Sequence, residues 1–224
     1  MKMHIRPGSL WLAYSLTQPQ AIQKLMPSGL DLVSAPILAD DMAHFQPKKL
    51  LFNAYDVDSP WMHGTRVDVA VLARHVDTGK LHLVLIDCFS NTLRWDPIHG
   101  VRRANAYTRA SCANKDDAYK LTIRNMRDEF DVRAAISPQR RGIDWKFAVE
   151  ANLACYWAGF PDAFSMSFNE TSIALPVATL KSTVIKNTLW KDVRASIPTH
   201  AFIHPHPMDF EVDVTSFRVT DNQI

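Results

Sequence analysis

Residues 48–58 have the sequence KKLLFNAYDVD and decide the fold, because side chains of different character alternate through them with a period of two. That period is typical of a β-strand, in which successive side chains point to opposite faces of a sheet. The predicted strand has one face with Leu51, Asn53, Tyr55 and Val57, and another with Leu50, Phe52 and Ala54.

Sequences on the C-terminal side continue this pattern. RVDVAVLARHV (66–76) alternates Val67, Val69 and Val71 with other side chains, and the triplet at 77–79, Asp-Thr-Gly, predicts a hairpin turn into KLHLVLIDCF. Further short strands are predicted in NAYTRASC (105–112), AYKLTIRN (118–125) and EFDVRAAI (129–136), and a closing strand in the tail at 206–219. The middle and the end of the chain are therefore expected to be rich in strands.

One helix is predicted near the start, in TQPQAIQKLMPSGL (17–30). Thr17 would cap it, Pro19 would lie in its first turn, and Pro27 with Gly29 would end it. Its apolar stripe would be Ala21, Ile22 and Leu25. WKFAVEANLACYW (145–157) fits either a helix or a strand. Many short strands with few helices indicate an α+β protein built on a barrel or a sandwich.

Composition indicates one globular domain spanning residues 1–224, without repeats or linkers. With 25 Lys plus Arg against 23 Asp plus Glu, the net charge of +2 argues against nucleic acid as a partner. No apolar stretch approaches the roughly 18 residues that a membrane helix needs. The 3 cysteines are widely spaced, which favours reduced thiols and predicts a cytoplasmic protein.

The most metal-like pattern is HAFIHPHP, in which His200, His204 and His206 could hold zinc. Pro205 and Pro207 argue against a regular strand here and favour a surface loop. We therefore predict no metal and keep a zinc enzyme as a minor alternative. Phosphate-binding loops and nucleophile elbows are also absent from the sequence.

The order of motifs between residues 20 and 111 resembles the acetoacetate decarboxylase superfamily. The stretches that carry the resemblance are AIQKLMPSGLDL, KKLLFNAYDV, the hairpin around DTGKLHLVLIDCFSN, and GVRRANAYTRA after it. The resemblance implies a mostly antiparallel β barrel or cone that encloses a pocket, with a few helices packed outside. It also implies a small-molecule substrate and no cofactor.

The sequence departs from this family at the reactive position. In the family a pocket lysine forms a Schiff base with a keto acid, and a neighbouring lysine lowers its pKa. Counted from Gly100, that position falls at or beside Arg109, and Lys115 is only a weak substitute. The family's pocket glutamates fall near Asn53 and at Thr65 or Arg66. Arginine stays protonated and cannot attack a carbonyl, so imine chemistry is not expected.

The resemblance nevertheless implies a set of site residues with other roles. Arg66 and Arg109 are predicted to bind an anion or oxyanion through paired hydrogen bonds, with Asn53 as an orienting donor. Asp68 would be an acid or base if it faces inward, or would pair with Arg66. The remaining candidates are His99, as an acid or base, and Tyr55 and Arg102, as substrate contacts. Arg102 and Arg103 also suit a solvated turn, and Arg109 could instead point outward.

These residues predict an enzyme that acts on a carbonyl or keto-acid molecule by stabilising an enolate, as a lyase, isomerase, cyclase or dehydratase. The alternative from another class is a non-catalytic barrel that binds an apolar carboxylate. Oligomerisation as identical subunits is left open by the sequence.

Overall fold

The computed structural model of the chain describes residues 2–7, 9–26, 28–34, 47–60, 62–79, 81–90, 102–103, 118–124, 129–136, 143–144, 154–157, 162–168, 174–175, 178–186, 190–204 and 207–218. These residues form one short helix, α1 (Pro19–Gln23), and a series of strands. The strands in chain order are β1 (Lys2–Ile5), β2 (Ser9–Ser15), β3 (Leu30–Leu32), β4 (Lys49–Ser59), β5 (Met62–His75), β6 (Leu81–Ser90), β7 (Arg102–Arg103), β8 (Ala118–Arg124), β9 (Glu129–Ile136), β10 (Ile143–Asp144), β11 (Ala154–Trp157), β12 (Asp162–Phe168), β13 (Ala174–Leu175), β14 (Ala178–Lys186), β15 (His200–His204) and β16 (Met208–Arg218).

The stretch KKLLFNAYDVD forms β4, as its alternation predicts. It pairs antiparallel with β5 along its length, and the turn before Gly79 joins β5 to β6 as expected. Gly79 has φ +67°, which suits glycine because it has no Cβ. Both faces of β4 are buried from Lys49 to Tyr55, whereas Asp56 and Asp58 near its end are only half-buried.

The main sheet is mostly antiparallel, and β4 is one of its interior strands. One edge of β4 pairs with β5, and the other edge pairs with β2 and then with β1. From β1 the pairings continue through β16, β12 and β11 to β6, which pairs with β5. The β11–β6 and β6–β7 pairs are parallel. The β1–β4 pairing consists of one residue pair, Ile5 with Val57.

Smaller sheets complete the described strands. β8, β9 and β14 form one of them, and β10 with β13 forms another. The strands predicted at 118–125 and 129–136 and in the tail are confirmed as β8, β9 and β16. Of the ambiguous segment 145–157, the described part is the strand β11, whereas the strand predicted at 105–112 lies outside the described residues.

The helix prediction is right in place but wrong in its details. α1 spans 5 residues with Gln18 as N-cap, and Thr17 does not cap it. The reason is that Thr17 is already bonded elsewhere: its backbone N–H donates to Val193 O (2.8 Å) and its hydroxyl to Asp192 O (3.2 Å). Ile22 is fully buried. Because the helix ends at Gln23, Leu25 lies beyond it and outside the apolar stripe, and it is 47% exposed.

The loop predicted for HAFIHPHP is also wrong for its first half. His200–His204 forms β15, which pairs antiparallel with β2. This strand ends at His204, directly before Pro205 in the sequence. The pairing energy comes from β2, a strand far away in sequence.

The hydrophobic core lies on one face of β2, β4, β5 and β6, which we call the core face. Its fully buried members include Leu10, Phe52, Val69 and Val84, and Ile22 of α1 packs against them. Trp190 covers the same cluster. Among the described residues, no helix has the length and apolar character needed to cross a bilayer.

Candidate functional site

The opposite face of β2, β4 and β5 carries buried polar side chains, and we call it the polar face. The register places Asn53 opposite Asp68 and Tyr55 opposite Arg66. Strand periodicity directs these side chains away from the core face, and they are 3–9% exposed. The structure therefore brings together four of the residues that the sequence singled out, and Ser9 of β2 joins them as a fifth member.

Asp68 accepts hydrogen bonds at both of its carboxylate oxygens. Tyr55 Oη donates to Oδ2 at 2.7 Å, and Arg66 Nε donates to Oδ1 at 2.7 Å. The Arg66 and Asp68 side chains are only 4% and 10% exposed, so little water competes for this ion pair. The pairing of Arg66 with Asp68, one of two alternatives in the sequence, is the one observed. An acid or base role for Asp68 stays a prediction.

Asn53 is oriented by Ser9. The Ser9 hydroxyl, which is completely buried, donates to Asn53 Oδ1 at 2.9 Å. The amide group therefore presents its Nδ2 in another direction, and no acceptor for Nδ2 is found in the described part of the chain. Asn53 as a residue is only 9% exposed. The arrangement is therefore suited to a ligand that brings an acceptor.

Arg66 and Asn53 lie diagonally across the β4–β5 pair. Residues in that relation have Cα atoms roughly 7–8 Å apart, within reach of one small ligand. One side chain provides a cation and the other a neutral N–H donor. Such a pair of donors can bind a carbonyl, enolate or carboxylate oxygen.

Arg102 and Arg103 form the strand β7, and the turn predicted for them is wrong. They pair parallel with Phe89 and Ser90 of β6, and Ser90 in turn pairs with Arg66. The β6 backbone satisfies the polar groups that a turn would have left to solvent. The side chain of Arg102 lies outside the described part, so its contact with substrate stays a prediction.

Several sequence candidates fall outside the described residues altogether, namely His99, Arg109, Lys115 and His206. Their roles stay predictions, and so does the replacement of the family's lysine at Arg109. The side chain of His204 is likewise outside the description. Within the described ranges, no group of three His, Cys, Asp or Glu side chains could hold a metal ion.

Lys49 is a buried cation of β4 that the sequence analysis passed over. It is 5% exposed, and its Nζ donates to Ser15 Oγ (3.2 Å) and Thr199 Oγ1 (3.1 Å). The alternation that identified Asn53 also places Lys49 on the polar face. Ser9 had no comparable signal, because its contact with Asn53 depends on the register of β2 against β4.

The core face carries buried polar groups too, and the Tyr14 hydroxyl has no hydrogen-bond partner among the described residues. The Arg194 guanidinium lies over the Tyr14 ring, 4.5 Å from its centroid, and burial raises the pKa of Tyr14 to about 12. Burial also lowers the pKa of Arg194. Trp190 Nε1 donates to Asp87 Oδ2 at 2.7 Å. These groups attach residues 190–194 to the core, on the side opposite to the polar face.

Two aspartates near the end of β4 have pKa values shifted in opposite directions. Burial raises the pKa of Asp56, against the hydrogen bond from Thr65 Oγ1 (2.6 Å) and the charge of Arg6. Hydrogen bonds from Arg6 and His63 lower the pKa of Asp58, which lies at the surface. The end of β4 therefore contributes to the pH dependence of stability with both signs.

Asp56 provides a prediction with a definite sign. Because its folded pKa is raised above the ordinary 3.8, its contribution to stability falls as pH rises from that value through the folded pKa. Asp56→Asn removes the titration, and the amide oxygen can still accept from Thr65. We expect the free energy of unfolding of the variant to increase relative to that of the wild type as pH rises from 3.8 through the folded pKa. Urea denaturation at several pH values measures the difference in free energy of unfolding between the variant and the wild type. A difference that stays constant, or that changes in favour of the wild type as pH rises, contradicts the prediction.

Comparison with known proteins identifies the fold. No protein-family model matches the chain, and no curated protein matches it in sequence. Acetoacetate decarboxylase from Legionella pneumophila subsp. pneumophila str. Philadelphia 1 superposes with a TM-score of 0.54 at 12% identity, over 96% of this chain and 86% of that chain. The enduracididine biosynthesis enzyme MppR, complexed with the condensation product of pyruvate and imidazole 4-carboxaldehyde, gives 0.56 at 9% identity over 95% and 86%. MppR complexed with pyruvate gives 0.52 at 9% identity over 95% and 87%. The resemblance seen in the sequence is confirmed: the fold is acetoacetate decarboxylase-like.

Proposed function

We propose that this acetoacetate decarboxylase-like fold serves an enzyme that binds a small carbonyl or keto-acid molecule and stabilises its enolate without forming an imine. The reaction classes that share this intermediate are lyase, isomerase, cyclase and dehydratase. The observation that carries the proposal is the pair of buried residues Asn53 and Arg66, which lie diagonally across the β4–β5 pair with Asn53 Oδ1 held by Ser9 and Arg66 Nε held by Asp68. MppR, a protein of this fold, has a structure in complex with pyruvate, which makes pyruvate a suitable first probe.

The donors of the polar face are arranged before any ligand arrives. Ser9 fixes the amide of Asn53, and Asp68 fixes the guanidinium of Arg66 through Nε. Donors that are already oriented in a site with little water need no reorganisation when negative charge develops on oxygen. In pyruvate, a base would remove a proton from the methyl carbon, and the electron pair would move to the ketone oxygen held by Asn53 and Arg66.

The remaining candidates complete the proposed site. Arg109 would bind the carboxylate of the substrate with help from Arg102, and His99 would be the base. Asp68 would position Arg66 and Tyr55, since both of its oxygens already accept hydrogen bonds. The mostly antiparallel pairings around β4 support a barrel that encloses the pocket, and we propose that the chain is a single cytoplasmic domain. No metal or cofactor is required by this chemistry.

Exchange of methyl protons tests the proposal without knowledge of the complete reaction. In D₂O, an enzyme that forms the enolate replaces the methyl protons of pyruvate by deuterium, which ¹H NMR follows as loss of the methyl signal. We expect exchange well above the protein-free rate, and no covalent adduct after borohydride treatment. Capture of pyruvate at Lys49 or Lys115 would contradict the imine-free mechanism, and absence of exchange with several keto acids would contradict enolate chemistry.

A non-catalytic binding protein is the second candidate. It is favoured by Asp68, the carboxylate of the polar face, because Tyr55 and Arg66 occupy both of its oxygens and leave it poorly suited to remove a proton. The two candidates differ in one measurement. A binding protein would bind pyruvate or an apolar carboxylate without exchange of methyl protons. An enzyme would bind pyruvate and also exchange its methyl protons.

A further inference from the structure

We infer that Ser9 is a positioning residue that makes the site selective for ligands with a hydrogen-bond acceptor, by fixing which end of the Asn53 amide faces the ligand. The inference rests on the proposed function, because it concerns the same site. It names a residue that acts through Asn53 and does not itself touch the substrate.

The chemistry of the contact sets the orientation of the amide. A serine hydroxyl has a single proton, and Ser9 donates it to Asn53 Oδ1 at 2.9 Å. The amide oxygen is thereby occupied, and the amide nitrogen must point away from Ser9. In an amide rotated by 180°, the nitrogen could donate to the Ser9 oxygen, but the proton of the buried Ser9 hydroxyl would lose its acceptor Oδ1, and the amide oxygen would face the ligand.

The position of Ser9 makes this orientation firm. Ser9 is completely buried, so water does not replace its hydroxyl bond. Its backbone lies at the start of β2 and pairs with His204 of β15, and β2 also pairs with β4, which carries Asn53. Hydroxyl and amide are therefore held on neighbouring strands of one sheet.

The consequence for the ligand is a preference at one atom. The amide nitrogen of Asn53 donates, so it favours a ketone or enolate oxygen and disfavours an ammonium group at the same place. Pyruvate, lactate and alanine test this preference because they share a carboxylate and a methyl group. They differ at C2. Pyruvate carries a ketone oxygen there, which accepts; lactate carries a hydroxyl, which donates and accepts; alanine carries an ammonium group, which donates.

The experiment measures the dissociation constants of these three ligands for the wild type and for Ser9→Ala by NMR titration. We expect the wild type to bind pyruvate best and alanine worst. In S9A the amide can rotate, and we expect the ratio of the alanine constant to the pyruvate constant to fall about 3- to 10-fold, the value of one neutral hydrogen bond. Ser9→Thr, which keeps the hydroxyl, should keep the wild-type ratio.

A matched control separates positioning from general loss of stability. Ser59 is also a buried serine, 1% exposed, and its hydroxyl accepts from the backbone of His4 at 2.8 Å. Ser59→Ala removes a buried hydroxyl away from Asn53 and should leave the ratio unchanged. Asn53→Asp provides a second test that does not depend on how S9A folds. A carboxylate at this position only accepts, so this variant should bind alanine better than pyruvate.

The outcomes distinguish failure of the proposed function from failure of the role inferred for Ser9. If the wild type binds none of the three ligands, the proposed function fails. If it binds pyruvate but S9A keeps the wild-type ratio, or N53D keeps the wild-type order, the positioning role of Ser9 is overturned while the proposed function stands.

Discussion

Replacement of Asp68 by alanine is expected to lower the free energy of unfolding by about 3–5 kcal/mol, as measured by urea denaturation. The reason is the loss of the carboxylate that pairs with a deeply buried guanidinium: Arg66 Nε lies 2.7 Å from Asp68 Oδ1, and the Arg66 side chain is 4% exposed. The Tyr55 hydroxyl loses its acceptor in the same variant. The burial of the guanidinium and the hydroxyl without this carboxylate, more than the lost attraction, accounts for the expected size.

Two comparisons make this prediction specific. Asp58 pairs with Arg6 at 2.9 Å in a similar way, but it lies at the surface, so Asp58→Ala should change stability only slightly. The double variant R66M/D68L replaces both charges by apolar groups, and buried pairs replaced in this way often lose little or nothing. A loss in D68A no larger than that in D58A would show that the pair has access to water and that the polar face is not enclosed.

The part of the site that could be predicted from sequence lies on β4 and β5. These strands are neighbours in sequence, so their shared period of two identifies which residues face the same way. A hairpin pairs them with little ambiguity. The resemblance singled out Asn53 and Arg66, the period of two placed Tyr55 on the face of Asn53 and Asp68 on the face of Arg66, and the structure brings the four together.

The contacts that sequence reasoning missed depend on pairing between distant segments. Ser9 meets Asn53 only because β2 takes one register against β4, and nothing in the sequence near Ser9 specifies that register. β15 forms in the same way, through β2. Thr17 is recruited by Val193 and Asp192 instead of capping α1, again through a contact between distant residues. Local propensity could not outweigh these tertiary contacts.

Loss of the Arg66 guanidinium is expected to slow the exchange of pyruvate methyl protons about 10²- to 10³-fold, the effect of removing one donor from an oxyanion site. The single variant Arg66→Met would also leave Asp68 buried without its cation. R66M/D68L is therefore the better test, because it removes the donor together with the charge that the donor neutralises. Exchange is measured by ¹H NMR at matched concentrations of folded protein, with the fold checked by circular dichroism.

Arg66→Lys separates the charge from the geometry at the same position. Lysine keeps the positive charge but lacks the planar fork that bonds Asp68 through one nitrogen while presenting others. If orientation by Asp68 is what matters, R66K should resemble R66M/D68L in exchange rate, although it keeps the charge. Arg6→Met removes an exposed arginine that pairs with Asp58 and should exchange like the wild type. An R66M/D68L protein that folds and exchanges within about threefold of the wild type would remove Arg66 from the oxyanion site, because an oriented donor in a buried site contributes far more than that.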